Sequence, residues 1–152
     1  ALPVARGSGT ICSERPDYCD GSYHGGGLNL YSNRFTGTLP TELGLLSKLT
    51  GNIDVQRNSF SGTLPTQLGL LTKLSTYLRV ERNSISGTLP TQLGLLTKLW
   101  GLVVDPNSIS GALPTQLGLL TKLSTWLKVY DNSISGTLPT QLGLLMELDG
   151  TL

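Results

Sequence analysis

Apolar and polar positions in this chain follow a long repeat with a shorter alternation inside it. The string G-[T/A]-L-P-T-[E/Q]-L-G-L-L begins at Gly37, Gly62, Gly87, Gly111 and Gly136, at spacings of 25, 25, 24 and 25 residues. Between these blocks, segments such as Leu78-Arg79-Val80-Glu81-Arg82-Asn83 alternate apolar with polar residues and then reach an Asn. Alternation with period two predicts a short strand with one buried face. Each unit is thus a strand, an Asn-bearing turn, a Gly-x-Leu-Pro corner and a Leu-rich return. So short a unit cannot bury its own apolar side, and neighbours must stack to make a common core.

Stacking turns equivalent positions into ladders. Leu28, Ile53, Leu78, Leu102 and Leu127, with Leu30, Val55, Val80, Val104 and Val129, are the inward strand positions. Leu39, Leu64, Leu89, Leu113 and Leu138 face them from the opposite wall. Asn33, Asn58, Asn83, Asn107 and Asn132 stand where the chain turns inward. A short amide there pairs backbone groups that would otherwise be buried unsatisfied, so these residues read as structural. The corner glycines permit a tight turn at positive φ, and the Pro fixes φ where the strand ends. Three linkers, Leu49–Ile53, Leu74–Leu78 and Leu123–Leu127, carry one residue more than Leu99–Leu102, which predicts a bulge at the strand entrance.

These units resemble plant-type leucine-rich repeats, L-x-x-L-x-L-x-x-N-x-L-[S/T]-G-x-[I/L]-P-x-x-L-G-x-L. The fourth matches at Leu99, Leu102, Val104, Asn107, Ile109, Gly111, Leu113, Pro114, Leu117, Gly118 and Leu120. Cys12 to Cys19, followed by Asp20-Gly21 and Leu28 to Asn33, resembles the family's paired-Cys N-terminal cap, without the cap's usual Trp. The resemblance covers roughly residues 12–152. It implies an α/β solenoid: a right-handed, β-rich superhelix with a parallel sheet on the concave face and 3-10 or irregular returns on the convex face. Its expected organisation is one domain, with a tail and cap over residues 1–27 and five repeats over 28–152, open at the C-terminal end. The family includes receptors, inhibitors and scaffolds, so the motif leaves the function open.

Composition narrows the classes. Of the 152 residues 38% are hydrophobic and the net charge is +1, which is unlike the polar, strongly charged make-up of disordered chains. No run of Lys and Arg offers a phosphate-binding surface, so nucleic acid is not an expected partner. No stretch approaches the roughly 20 apolar residues of a membrane-spanning helix. The chain begins at Ala1, and residues 1–10 read as a mature N-terminus left after removal of a signal. Cys12 and Cys19, close together in a Gly/Ser/Asp-rich segment, suit one local disulfide better than a metal site with the lone His24. A disulfide implies an extracellular location. No N-x-[S/T] sequon occurs, whereas the Thr and Ser positions leave O-glycans open.

Catalytic chemistry has little to stand on. His24 lies in a Gly-rich segment with no partner to orient it, and Gly25-Gly26-Gly27 fits no phosphate-loop template. The carboxylates recur at no spacing suited to glycoside hydrolysis. The chain reads as non-enzymatic, with no cofactor.

Variation between repeats is concentrated on one face. The outward strand positions run Asn29, Asp54, Arg79, Val103, Lys128 and then Tyr31, Gln56, Glu81, Asp105, Tyr130, joined by Tyr77, Trp100 and Trp126. Tyr31, Tyr77, Arg79, Glu81, Trp100, Asp105, Trp126, Lys128 and Tyr130 are therefore concave-face binding candidates, with drift between duplicated repeats as the alternative. Leu45, Leu70, Leu95, Leu119 and Leu144 occupy a return position that tolerates any residue. They form a convex apolar stripe for lateral association, or else tuck between turns. At the far end Leu138, Leu142, Leu145, Leu148 and Leu152 lack a covering repeat, which suggests head-to-tail stacking on the Gly25–Leu28 segment of a second copy. Three functions follow: an extracellular structural or interaction protein able to assemble end to end into filaments, a receptor- or inhibitor-like recognition module for a protein or glycan, and an ice binder. The last rests on the rows Thr38/Thr63/Thr88/Thr137 and Thr41/Thr66/Thr91/Thr115/Thr140.

Overall fold

The computed structural model describes residues 9–149, and over them the chain winds as a solenoid of five turns. Each turn opens with a short strand: β1 (Leu28–Asn29), β3 (Ile53–Asp54), β5 (Tyr77–Arg79), β7 (Gly101–Val103) and β9 (Trp126–Lys128). These stack in that order into a parallel sheet. The register puts Leu28 against Ile53, Ile53 against Leu78, Leu78 against Leu102 and Leu102 against Leu127. All five side chains are buried, which is why a 24- to 25-residue period and a period of two must coincide.

A second parallel sheet follows the Asn turn, where a turn alone was expected. It comprises β2 (Thr36–Thr38), β4 (Ser59–Thr63), β6 (Ser84–Gly87), β8 (Ser108–Gly111) and β10 (Ser133–Ile134), again neighbour on neighbour. Its cause is the run Ser-[Phe/Ile]-Ser-Gly, which also alternates and buries Phe60, Ile85 and Ile109 inside. Phe35 and Phe60 stack at 6.1 Å. Gly37, Gly62, Gly87, Gly111 and Gly136 close these strands at φ between 72° and 88°, a conformation costly for any residue with a Cβ.

The third wall is a column of 3-10 helices, Thr41–Leu45, Thr66–Leu70, Thr91–Leu95, Thr115–Leu119 and Thr140–Leu144, each preceded by Pro. The glycine in each return is fixed by the next turn. A Cβ on Gly69 would lie 2.5 Å from the Gln92 carbonyl oxygen, whereas one on Gly143 would meet nothing within 4 Å. Linkers of equal length pair one to one, the Ser75 N–H with the Thr50 carbonyl and the Thr76 N–H with that of Gly51, whereas Ser124 and Thr125 of the longer Leu123–Leu127 linker both donate to the Trp100 carbonyl of the shorter Leu99–Leu102 linker. This is the two-against-one pairing of a bulge.

Asn58, Asn83, Asn107 and Asn132 bind turns together. The Asn83 Oδ1 accepts from the Phe60 N–H at 3.0 Å, and its amide donates to the carbonyls of Val55, Val80 and Glu81 at 3.1, 2.9 and 3.2 Å. At the N-terminal end a short helix α1 (Ile11–Glu14) and a 3-10 turn Pro16–Tyr18 cover the first turn. Ile11 and Tyr18 enter the core, and a Cys12–Cys19 disulfide joins the two elements.

Candidate functional site on the concave sheet

Side chains projecting outward from the first sheet form two columns, one residue per turn. In the first, the Arg79 guanidinium lies 4.7 Å above the Tyr77 ring and 5.2 Å above the Trp126 ring, and those rings stack at 5.5 Å. They belong to strands on either side of β7. Gly101 stands opposite both Tyr77 and Trp126, and a Cβ there would come within 2.8 Å of the Tyr77 ring. A glycine at this one place lets the two rings close over the strand between them. The Lys128 ammonium sits 5.3 Å from the Trp126 ring, and Arg57 lies 5.8 Å from Tyr31. Trp100, also a candidate, is exposed and takes no part in the stack.

The second column runs Tyr31, Gln56, Glu81, Asp105, Tyr130. Its middle opens into a cleft of about 410 Å³ lined by Gln56, Glu81, Arg82, Asp105, Lys128 and Tyr130, among others. Of the sequence candidates it gathers Glu81, Asp105, Lys128 and Tyr130. Burial pushes the Glu81 carboxyl above its usual range, against a hydrogen bond from its own backbone; Asp54 and Asp105 add to the rise and Arg79 opposes it. The Tyr130 hydroxyl is also raised, because it is hydrogen-bonded to the Asp105 carboxylate, whose charge disfavours a second anion.

Facing outward is not the same as being exposed. Asp54, Val103 and Asp105 are 7%, 5% and 5% accessible. Asp54 is satisfied: its Oδ1 accepts from the Gln56 N–H at 3.2 Å and its Oδ2 from the Gln56 side-chain amide at 2.9 Å. Asp105 is satisfied only in part: it meets the Tyr130 hydroxyl, while its Oδ1 is buried without a donor.

Sequence reasoning missed the rim. Arg57, Arg82 and Asp131 also line the cleft, from the position just before each Asn, where φ is +55°, +56° and +45°. Left-handed backbone turns these side chains back over the sheet. The signal available was that this position precedes the Asn in every repeat, although none of its occupants is glycine.

The other candidates lie apart. Leu45, Leu70, Leu95, Leu119 and Leu144 are 50–58% exposed along the 3-10 column. Leu138 is 68% exposed, against 3–6% for Leu39, Leu64, Leu89 and Leu113. Leu142 and Leu148 are half-buried and Leu145 is buried; Leu152 lies outside the described residues. Thr38, Thr63 and Thr88 set their methyl groups over Gly62, Gly87 and Gly111 of the following turn, which gives this row a packing role. Among the described residues there is no cluster of three or more His, Cys, Asp or Glu able to hold a metal, and no helix long and apolar enough to cross a membrane.

A scaffold of stacked repeats with two parallel sheets, carrying a varied, charged and aromatic inner face, belongs to the class of repeat solenoids. The Leucine Rich Repeat family profile matches residues 27–46. The fold matches the Arabidopsis thaliana ectodomain of the receptor kinase GASSHO1/SCHENGEN3, in complex with CASPARIAN STRIP INTEGRITY FACTOR 2, at 36% identity and a TM-score of 0.78. It matches the Arabidopsis HAESA ectodomain, in complex with an IDA peptide hormone ligand, at 30% identity and a TM-score of 0.76. A chain of the Arabidopsis BIR3–SERK2 complex is 31% identical, at a TM-score of 0.68. These alignments cover 82%, 94% and 81% of this chain but 15%, 23% and 65% of those chains. Comparison with curated proteins by sequence gives no match. The chain thus carries a Leucine Rich Repeat family match, its structural neighbours are plant leucine-rich-repeat ectodomains, and its Cys12–Cys19 disulfide fits a paired-cysteine N-terminal cap. End-to-end filaments and ice binding find no support in these comparisons.

Proposed function

We propose that this protein is a non-enzymatic, extracellular recognition module that binds a peptide or an extended protein segment along its concave sheet. The observation that carries this reading is the Tyr77–Arg79–Trp126 stack beside the charged cleft. Aromatic and Arg side chains supply much of the energy at protein interfaces, and here they are held rigid by neighbouring strands. The receptor ectodomains it resembles include ones in complex with peptide ligands, and the Cys12–Cys19 bond suits an oxidising compartment.

The test is selection of a displayed random-peptide library on the purified chain, followed by titration of selected peptides into Tyr77→Ala, Trp126→Ala and Leu70→Asp variants. Binding lost in the first two and kept in the third supports the reading. Binding indifferent to Tyr77 and Trp126 overturns it.

End-to-end association is a second reading, favoured by the exposure of Leu138 and the uncovered face of Gly143. Sedimentation at high concentration decides it: concentration-dependent assembly abolished by Leu138→Asp supports stacking, and a monomer throughout refutes it.

A further inference from the structure

Glu81 and Asp105 occupy the same column on adjacent strands, which stack about 4.8 Å apart. Asp105 is 5% exposed, and its Oδ1 is buried with no donor; the Oε2 of Glu81 is in the same condition. Asp54, equally buried one column over, shows how the chain satisfies such a group when it must, with the backbone and side chain of the residue two positions on. Asp105 has no such help from the residues that follow it, and the donor it meets is the Tyr130 hydroxyl of the next turn. Pro106 follows it without an N–H, and the Asn107 N–H is given to the Asp131 carbonyl.

No cation of the chain fills the gap. Ion pairs among the described residues are Arg15–Asp17 and Lys122–Glu147, both remote. Arg79 and Lys128 lie against aromatic rings, and Arg57 and Arg82 are exposed on the rim. Two neighbouring carboxylates, each with one enclosed oxygen that lacks a donor, therefore line the cleft beside Tyr130.

Resting on the concave-face reading above, we propose that this cleft seats one cationic side chain of the bound peptide, a lysine ammonium or an arginine guanidinium, between Glu81 and Asp105. The two carboxylates accept its hydrogen bonds, which gives an enclosed pair its missing donors, and the Tyr130 ring offers its face to the charge. The rim sets a further condition. Arg57, Arg82 and Lys128 outnumber Asp131 around the cleft, so a second basic residue beside the first is repelled on the side of those three, where acidic neighbours are favoured. The ligand is thus a peptide with a single base flanked by neutral or acidic residues, not a polybasic run.

The displayed-peptide selection tests this independently of the parent reading. Expected are selected sequences with Lys or Arg at one fixed position and no base beside it. Replacing that base by norleucine in the synthetic peptide should cost about tenfold or more in affinity, and Asp105→Asn or Glu81→Gln should cost the wild-type peptide a similar factor while leaving the norleucine peptide nearly unaffected. The norleucine substitution is made on the peptide and does not depend on how well the protein variants fold. Peptides that need Trp126 yet carry no fixed base, or that lose nothing on its replacement, overturn the cation site and leave the concave-face reading standing. Peptides indifferent to Tyr77 and Trp126 overturn the concave-face reading itself. Binding that requires added calcium overturns the proposal by making the carboxylate pair a metal site.

Discussion

Asn83→Ala isolates the device that ties one turn to the next. The wild-type side chain satisfies the Phe60 N–H and donates to three carbonyls. Those carbonyls do not become orphans when it is removed: Val55 still accepts from the Asn58 amide, Val80 from the Asn107 amide, and Glu81 from the Arg57 N–H. The Phe60 N–H has no such reserve. The cost is therefore one buried unpaired donor, at about 1–3 kcal/mol, plus the loss of weaker shared bonds, for about 2–4 kcal/mol in all.

Asn33 is the control. It holds the same position in the first turn and is the more deeply buried of the two, but its amide makes one hydrogen bond, to the Tyr31 carbonyl at 3.1 Å, because no earlier turn presents donors to it. Asn33→Ala should cost about 1 kcal/mol. In urea, with a slope of about 1.5–2 kcal/mol per molar, Asn83→Ala should lower the midpoint by about 1–2 M and Asn33→Ala by about 0.5 M. Equal losses in the two variants, or a larger loss in Asn33→Ala, would refute the bookkeeping, since residue type is shared, Asn33 is the more deeply buried, and the bonding alone makes Asn83 the costlier residue to remove.

Two further outcomes follow from other parts of the fold. Gly69→Ala should destabilise by several kcal/mol, about 2–4, because its Cβ would press on the Gln92 backbone; Gly143→Ala, with open space above it, should be neutral or slightly stabilising, as thermal melts of the pair would show. Glu81 titrates above its usual range in the folded chain, first because burial disfavours its charge, so the native state binds a proton more readily than the unfolded one and stability falls as pH rises above the ordinary glutamate range of about 4–5. Glu81→Gln should accordingly be more stable than wild type at pH 7 and no more stable at about pH 3.5, measured by denaturant midpoints at both; a constant difference across pH would contradict this.

The ladders were legible because each inward position is fixed by a like residue in the next turn, so Leu78 and Leu102 announce the same environment. The second sheet was not, because Ser84-Ile85-Ser86-Gly87 is too short for its alternation to stand apart from a turn. On the concave side, period two identified which residues project outward, Arg79 and Glu81 among them. It could not say that Asp105 would be buried, since that depends on neighbouring strands, a full repeat away in sequence. Arg57 and Arg82 escaped notice for a related reason: nothing in an Arg-Asn pair signals left-handed backbone, which the stacked Asn ladder imposes from outside the segment.

Where the chain is free to vary also bears on what it does. Inward positions are held by the ladders, corners by Gly and Pro, and return glycines by the following turn's Gln, so substitution at any of these disturbs packing. The two outward columns carry none of these duties, and exposed positions of that kind usually change stability by under about 0.5 kcal/mol. Relaxed constraint accounts for their difference from repeat to repeat. It does not account for Glu81 and Asp105, which stand side by side with buried oxygens lacking donors, one of them kept protonated more readily than an ordinary glutamate. Unpaired buried carboxylates cost stability, and a Gln, Asn or Thr at either place would remove that cost. Arg79 is close enough to lower the Glu81 carboxyl but is engaged by Tyr77 and Trp126 instead. An arrangement that holds its own cations on aromatic rings while leaving two carboxylates open to a cleft disfavours the free chain and favours the chain with a cation bound.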